Sequence, residues 1–124
     1  MDDSPRLLKA LSQILAREER FRVVGSATDG CQALRYASTL APELVLMGLR
    51  LSKLNGPQAA SHIKRSIDPP VVFMVSSDDS PSSRAMSEAA GADAFVPTSG
   101  DLEVRLKSRL HEWFRPKGTR LPNR

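Results

Sequence analysis

Residues 42–51 read PELVLMGLRL, and this stretch decides the fold. Leu44 to Met47 form a short, continuous apolar run, which is typical of a strand in a parallel sheet that is covered on both faces. The run stops at Gly48, at the carboxyl end of the predicted strand, where sheets of this kind display their reactive side chains. Because glycine has no side chain, the stretch predicts a buried parallel strand without a nucleophile at its tip.

Strand-like and helical segments alternate on both sides of this run. The segments Phe21–Ala27, Val71–Val75 and Ala94–Val96 contain the β-branched and aromatic residues that favour strands. Helices are predicted to begin at Ser4-Pro5, Asp29, Gly56-Pro57, Ser80-Pro81 and Asp101. The alternation predicts an α/β fold with three layers, in which a parallel sheet of about four strands carries helices on both faces.

The third predicted helix shows how its limits are read from the sequence. It opens at Gly56-Pro57 and is expected to end at Pro69-Pro70, because neither proline can continue a helix. Its inward face is expected to hold Ala59, Ala60, Ile63 and Ile67. The last helix is expected to run from about Asp101 to Phe114.

Composition and charge limit the classes of protein that this chain can belong to. Its 124 residues predict one domain, and no apolar stretch approaches the ~20 residues of a membrane span. Cys31 is the single cysteine, so an intrachain disulfide is excluded and a reducing cytoplasm is expected. The net charge of +4 is concentrated in residues 105–124, which carry 7 basic residues against 1 acidic residue. We therefore expect a folded domain over residues 1–114 and a basic, mobile C-terminal tail over residues 115–124.

Several short motifs along the chain point to one family. They are Asp2-Asp3, Asp29-Gly30, the stretch 42–51, Asn55-Gly56, Met74-Val75-Ser76 and the run from Gly91 to Pro97. In this order and spacing, residues 2–114 resemble the receiver (response regulatory) domain of bacterial two-component response regulators. The resemblance implies a flavodoxin-like fold and a role in phosphorelay signal transduction.

The resemblance also assigns roles to individual residues of the pocket at the strand ends. The phospho-acceptor aspartate corresponds to Gly48 and the charged lysine corresponds to Thr98. The remaining family positions correspond to Asp2 and Asp3 (the acidic pair), the carbonyl of Arg50 (a metal ligand), Ser76 (the hydroxyl) and Phe95 (the aromatic switch).

Two departures from the family pattern bear on phosphoryl transfer. Gly48 removes the nucleophile, so an acyl phosphate cannot form there, and Thr98 removes the cation that would neutralise phosphoryl oxygens. No cofactor is expected. Magnesium would be held weakly by Asp2, Asp3 and the Arg50 carbonyl, because one carboxylate ligand is lacking. The alternative for the two aspartates is capping of the first helix and favourable interaction with its dipole.

A third departure concerns the first strand, which in the family precedes the acidic pair and lies in the middle of the sheet. Here Met1 directly precedes Asp2, so that strand is expected to be absent. Three outcomes remain open. The Phe21–Ala27 strand could pair directly with Leu44–Met47, a second chain could supply a strand through exposed edges and form a homodimer, or the chain could be a receiver fragment truncated at its N-terminus.

The function expected from the sequence is that of a pseudo-receiver that cannot be phosphorylated. Such a module is not an enzyme and acts in two-component signal transduction through protein–protein contacts in the cytoplasm. The alternative is a regulator that associates with nucleic acid through the basic C-terminal end. Membrane partners are not expected.

Overall fold

A computed structural model describes residues 1–114, and the predicted basic tail over residues 115–124 lies outside the described residues. The sheet contains three parallel strands in the order β1 (Leu44–Gly48), β2 (Val71–Ser76) and β3 (Ala94–Pro97). Leu46 is paired with Phe73, and Met74 is paired with Phe95. The predicted parallel sheet of an α/β fold is thereby confirmed.

Five helices accompany these strands, two before β1 and one after each strand. They are α1 (Pro5–Ala16), α2 (Gly30–Leu40), α3 (Gly56–Lys64), α4 (Pro81–Ala89) and α5 (Leu102–Trp113). Helices α1 and α5 cover one face of the sheet, where Leu11 and Leu106 pack against Phe73. Helices α2 and α3 cover the other face, where Ala33 and Ala59 pack in a second core cluster. The three-layer arrangement predicted from the alternation of segments is confirmed.

The helix starts agree with the capping residues read from the sequence. The Ser4 hydroxyl accepts a hydrogen bond from the amide of Leu7, and the Asp29 carboxylate accepts one from the amide of Gln32. These local caps set where α1 and α2 begin, and therefore where the loops at the strand ends lie.

No described helix is both long enough and apolar enough to cross a membrane.

Two predictions about the elements are wrong. The segment Phe21–Ala27 does not form a strand, so the described residues make a sheet of three strands instead of about four. A groove separates the segment from β1, so the two do not pair directly. Helix α3 ends at Lys64, well before Pro69, and the predicted inward residue Ile67 is 98% exposed in the loop that follows.

Candidate functional site

The carboxyl ends of the three strands meet at one edge of the sheet. Gly48 ends β1 and is paired with Val75 of β2, while Ser76 ends β2 and is paired with Pro97 of β3. The amide of Thr98 donates a hydrogen bond of 3.0 Å to the carbonyl of Ser76. The parallel topology therefore brings Gly48, Ser76 and Thr98 to the same edge of the sheet.

Residues 1–3 bind to this edge of the sheet through backbone hydrogen bonds. The Met1 ammonium donates to the Leu46 carbonyl at 2.6 Å, and the Gly48 amide donates to the Met1 carbonyl at 2.7 Å. On the other side, the Asp2 amide donates to the Ala27 carbonyl at 3.0 Å. Met1 thus bonds to β1 as a residue of a parallel strand would. Sequence reasoning missed this role because a single residue carries no strand pattern.

The side chain of Asp2 lies directly beside Gly48. A Cβ atom on Gly48 would overlap the Oδ2 atom of Asp2 and would lie 2.6 Å from its Cγ atom. Asp2 is 7% exposed, and its Oδ1 atom accepts a hydrogen bond of 2.8 Å from the Ser4 amide. Burial raises the pKa of the Asp2 carboxyl, although the Ser4 bond acts in the opposite direction. The structure therefore places one carboxyl group where a residue-48 side chain would begin.

The other two predicted metal ligands lie near Asp2, whose carboxyl interacts with that of Asp3. Asp3 is exposed, and its amide donates a hydrogen bond of 3.1 Å to the Arg50 carbonyl, which was the third expected ligand. Within residues 1–114, no three carboxylate, histidine or cysteine side chains are grouped so that they could hold a metal ion. Magnesium favours six oxygen ligands in octahedral geometry. Asp2, Asp3 and the Arg50 carbonyl would supply at most three of these ligands, so magnesium would need water for the others.

The loop after β2 is organised around Asp78. The Ser76 hydroxyl accepts a hydrogen bond from the Asp78 amide at 3.0 Å, and the Ser83 hydroxyl donates to the Asp78 carboxylate at 2.7 Å. The bonds from Ser83 and then Ser80 lower the pKa of Asp78. Ser76 and Asp78 therefore stabilise the turn into α4.

Phe95 lies on β3 and is 9% exposed. The guanidinium carbon of Arg84, on α4, lies 4.8 Å from the centre of the Phe95 ring, which is within the range of a cation–π contact. Sequence reasoning named Phe95 but missed Arg84, because the contact joins two elements that no local pattern relates. Phe95 is thus buried, and its ring contacts Arg84 of α4.

Three comparisons with known proteins agree on the family. The family model of the response regulator receiver domain matches residues 1–107. Protein-glutamate methylesterase/protein-glutamine glutaminase 1 of Burkholderia lata is 33% identical over 98% of this chain and 40% of that protein. Transcriptional regulatory protein LiaR of Bacillus subtilis is 28% identical over 94% of this chain and 56% of that protein.

A solved structure gives the same result for the fold. The response regulator domain of Thermotoga maritima CheB superposes with a TM-score of 0.76 at 25% identity, covering 90% of this chain and 87% of that one. The chain spans 40% and 56% of the lengths of the two curated relatives. The activities in their names therefore belong to those whole proteins. This chain belongs to the response regulator receiver domain family and is a receiver domain of two-component signalling.

Proposed function

We propose that this receiver domain is a pseudo-receiver, which signals through protein contacts without accepting a phosphoryl group. The observation that carries the proposal is the pairing of Gly48 with Asp2. Gly48 stands at the tip of β1 and has no nucleophile, and the space beside it contains the Asp2 carboxyl. A phosphoryl donor that approaches the end of β1 therefore finds no side chain of residue 48 to attack it.

The neighbouring groups do not replace the missing chemistry. The Asp2 carboxyl is 7% exposed and its Oδ1 atom accepts a hydrogen bond from the Ser4 amide, so a phosphoryl donor has little access to it. The Ser76 hydroxyl is engaged with the Asp78 amide. Thr98 is uncharged, and it supplies no cation for the charge that develops on phosphoryl oxygens during transfer. These arrangements support loss of phosphoryl transfer.

A protein-binding role is supported by apolar side chains left exposed on the last helices. Met86 on α4 is 51% exposed and Val104 on α5 is 62% exposed, although single exposed apolar residues are common on protein surfaces. A receiver without phosphoryl chemistry retains these surfaces as its means of communication. We therefore propose a cytoplasmic protein partner that recognises the region formed by α4, β3 and α5.

The proposal is tested by incubating the protein with acetyl phosphate and magnesium and then measuring its intact mass. The expected result is an unchanged mass under conditions in which a receiver domain that retains its acceptor aspartate gains one phosphoryl group. An acid-labile gain of one phosphoryl group would overturn the proposal. If that gain disappeared in Asp2→Asn, the acceptor would be Asp2.

A further inference from the structure

A groove of about 310 Å³ lies between α3 and α4. Its volume is at the lower end of the range of ligand pockets, which is about 300–1,000 Å³. Helix α3 lines it with Pro57 and four polar side chains, and α4 lines it with Ala89 and Ala90. None of the lining residues is acidic. The groove therefore combines a polar wall on α3 with a wall of small apolar side chains on α4.

The polar side chains form one row along α3. They are Gln58, Ser61, His62 and Arg65, which follow the helical spacing i, i+3, i+4, i+7 and so share one face. The opposite face of α3 is buried in the core through Ala59, Ala60 and Ile63. Each side chain in the row can donate a hydrogen bond. The packing of α3 therefore directs a row of four donors into the groove.

Two of these donors are oriented by bonds within α3 and its cap. The Oε1 atom of Gln58 accepts a hydrogen bond of 3.2 Å from the Asn55 amide, so that the side-chain nitrogen of Gln58 is left to donate. The Nε atom of Arg65 donates to the Ser61 carbonyl at 3.3 Å, which leaves the two terminal nitrogens of the guanidinium for another acceptor. Within residues 1–114, neither Arg65 nor His62 has a carboxylate at ion-pair distance.

The number and type of donors favour a phosphate group as the ligand. A guanidinium with two free nitrogens matches two oxygens of a phosphate, and phosphate has further oxygens for the Gln58, Ser61 and His62 donors. The methyl groups of Ala89 and Ala90, together with the Pro57 ring, are suited to contact carbon atoms attached to that phosphate. The dipole of α3 opposes an anion near its C-terminal turn, so the affinity should be moderate.

We propose that the groove between α3 and α4 binds a phosphate monoester, with the phosphate on the row from Gln58 to Arg65 and its organic part against α4. Such a group is found on a phosphorylated serine of a partner protein and on small phosphorylated metabolites. The groove includes none of the strand-end residues Gly48, Ser76 and Thr98, so this inference does not rest on the proposed function.

The test is titration with two phosphate monoesters, a peptide of alanines with one central phosphoserine and glycerol 3-phosphate. Binding is measured by calorimetry and by amide shifts in nitrogen-edited NMR. We expect saturation with a Kd of about 0.1–1 mM for at least one of them, and shifts at the amides of both His62 and Ala90. The unphosphorylated peptide should not bind. Whichever ester binds more tightly identifies the source of the phosphate as a modified protein or a free metabolite.

Two arginines provide matched variants of the protein. Arg65→Gln should weaken binding about tenfold, because the bidentate contact and its charge are lost. Arg65→Lys keeps the charge without the planar fork and should give a smaller loss of about threefold. The control is Arg6→Gln, since Arg6 is exposed on α1, which covers the other face of the sheet. This variant removes the same charge and should leave binding within about twofold. Circular dichroism checks that each variant is folded.

Three outcomes would overturn the proposal. The first is the absence of saturation by either ester at about 10 mM, well above the expected range. The second is an equal loss of affinity in Arg65→Gln and Arg6→Gln, which would indicate attraction to the net charge of the protein instead of a site. The third is a set of amide shifts that includes His62 but leaves Ala89 and Ala90 unchanged, because the ligand would then lie outside the groove.

Discussion

The Oδ2 atom of Asp2 occupies the position from which a side chain on Gly48 would extend. Asp2 is held there because its amide bonds to Ala27 and its Oδ1 atom accepts a bond from the Ser4 amide. The buried Asp2 carboxyl therefore fits in this position only because residue 48 is glycine and has no side chain. This relationship makes the consequences of adding a side chain at residue 48 predictable.

Gly48→Ala should destabilise the protein by about 1–3 kcal/mol, which is typical of an added group in a filled site. The new methyl group would force the Asp2 carboxyl out of its position and break its bond to Ser4. Unfolding in urea measures the loss. Asp2→Ala should itself be destabilising, but it should reduce the cost of Gly48→Ala, because only the Cβ atom of residue 2, at 3.1 Å, remains in the way. Additive effects of the two substitutions would contradict the contact.

The Met1 ammonium gives a pH dependence of stability. Burial is the main cause that lowers the pKa of this amine from 8.0 to about 6, and the charge of Asp2 acts in the opposite direction. Between these two values the unfolded chain binds more protons than the folded protein. Stability should therefore rise with pH from about 6 to about 8, by about 1–3 kcal/mol in total.

Urea unfolding at several pH values between 6 and 8 measures this rise, and the control is the same protein acetylated at its amino terminus. Acetylation removes the titrating amine, so the part of the slope that it causes should disappear. Asp2 contributes in the opposite sense. Its pKa is raised above 3.8, so its contribution to stability declines as the pH rises through its folded pKa. Identical slopes for the free and acetylated proteins would contradict the assignment to Met1.

A partly buried network joins Asp93 to β2 and α3. The Asp93 Oδ2 atom accepts hydrogen bonds of 2.8 Å from the Val72 amide and from the Lys64 ammonium, which also donates to the Pro70 carbonyl. Asp93→Ala leaves the Val72 amide and the ammonium without this acceptor, and should cost about 2–3 kcal/mol. Lys64→Met keeps the Asp93–Val72 bond and should cost less. A larger loss for Lys64→Met in urea unfolding would contradict this ranking.

The sequence predicts the fold well because the apolar runs and helix caps act locally. The pattern of Leu44–Met47 is sufficient to place β1, and Ser4 is sufficient to place the start of α1. The segment 21–27 was predicted as a strand because its residues favour that state, but a strand also needs a partner edge, and none adjoins it. Ile67 was placed on an inward face because its spacing continues that of α3, but α3 ends at Lys64.

The site was predictable only in part. Gly48, Ser76 and Thr98 lie at strand ends because the sheet is parallel. The alternation of helical and strand-like segments in the sequence predicts such a sheet. The contact between Asp2 and Gly48 depends on how residues far apart in the chain approach each other, and no pattern within a segment reports that. For the same reason, no local pattern indicates that the Arg50 carbonyl accepts a hydrogen bond from the Asp3 amide.

Gly56 should tolerate a side chain less well than Gly48, although both are glycines at the same end of the sheet. A Cβ atom on Gly56 would overlap the Gly48 carbonyl oxygen and lie 2.9 Å from its carbonyl carbon. The obstacle here is backbone of β1, which cannot rotate away as the Asp2 side chain can, and the Gly56 amide already bonds to the Leu49 carbonyl at 2.9 Å. Gly56→Ala should therefore lower the free energy of unfolding by more than Gly48→Ala, by about 3 kcal/mol or more. Asp2→Ala should not relieve this loss in urea unfolding, because Asp2 is not the obstacle. Relief by Asp2→Ala, or a loss smaller than that of Gly48→Ala, would show that the loop after β1 moves away from α3 more easily than this packing implies.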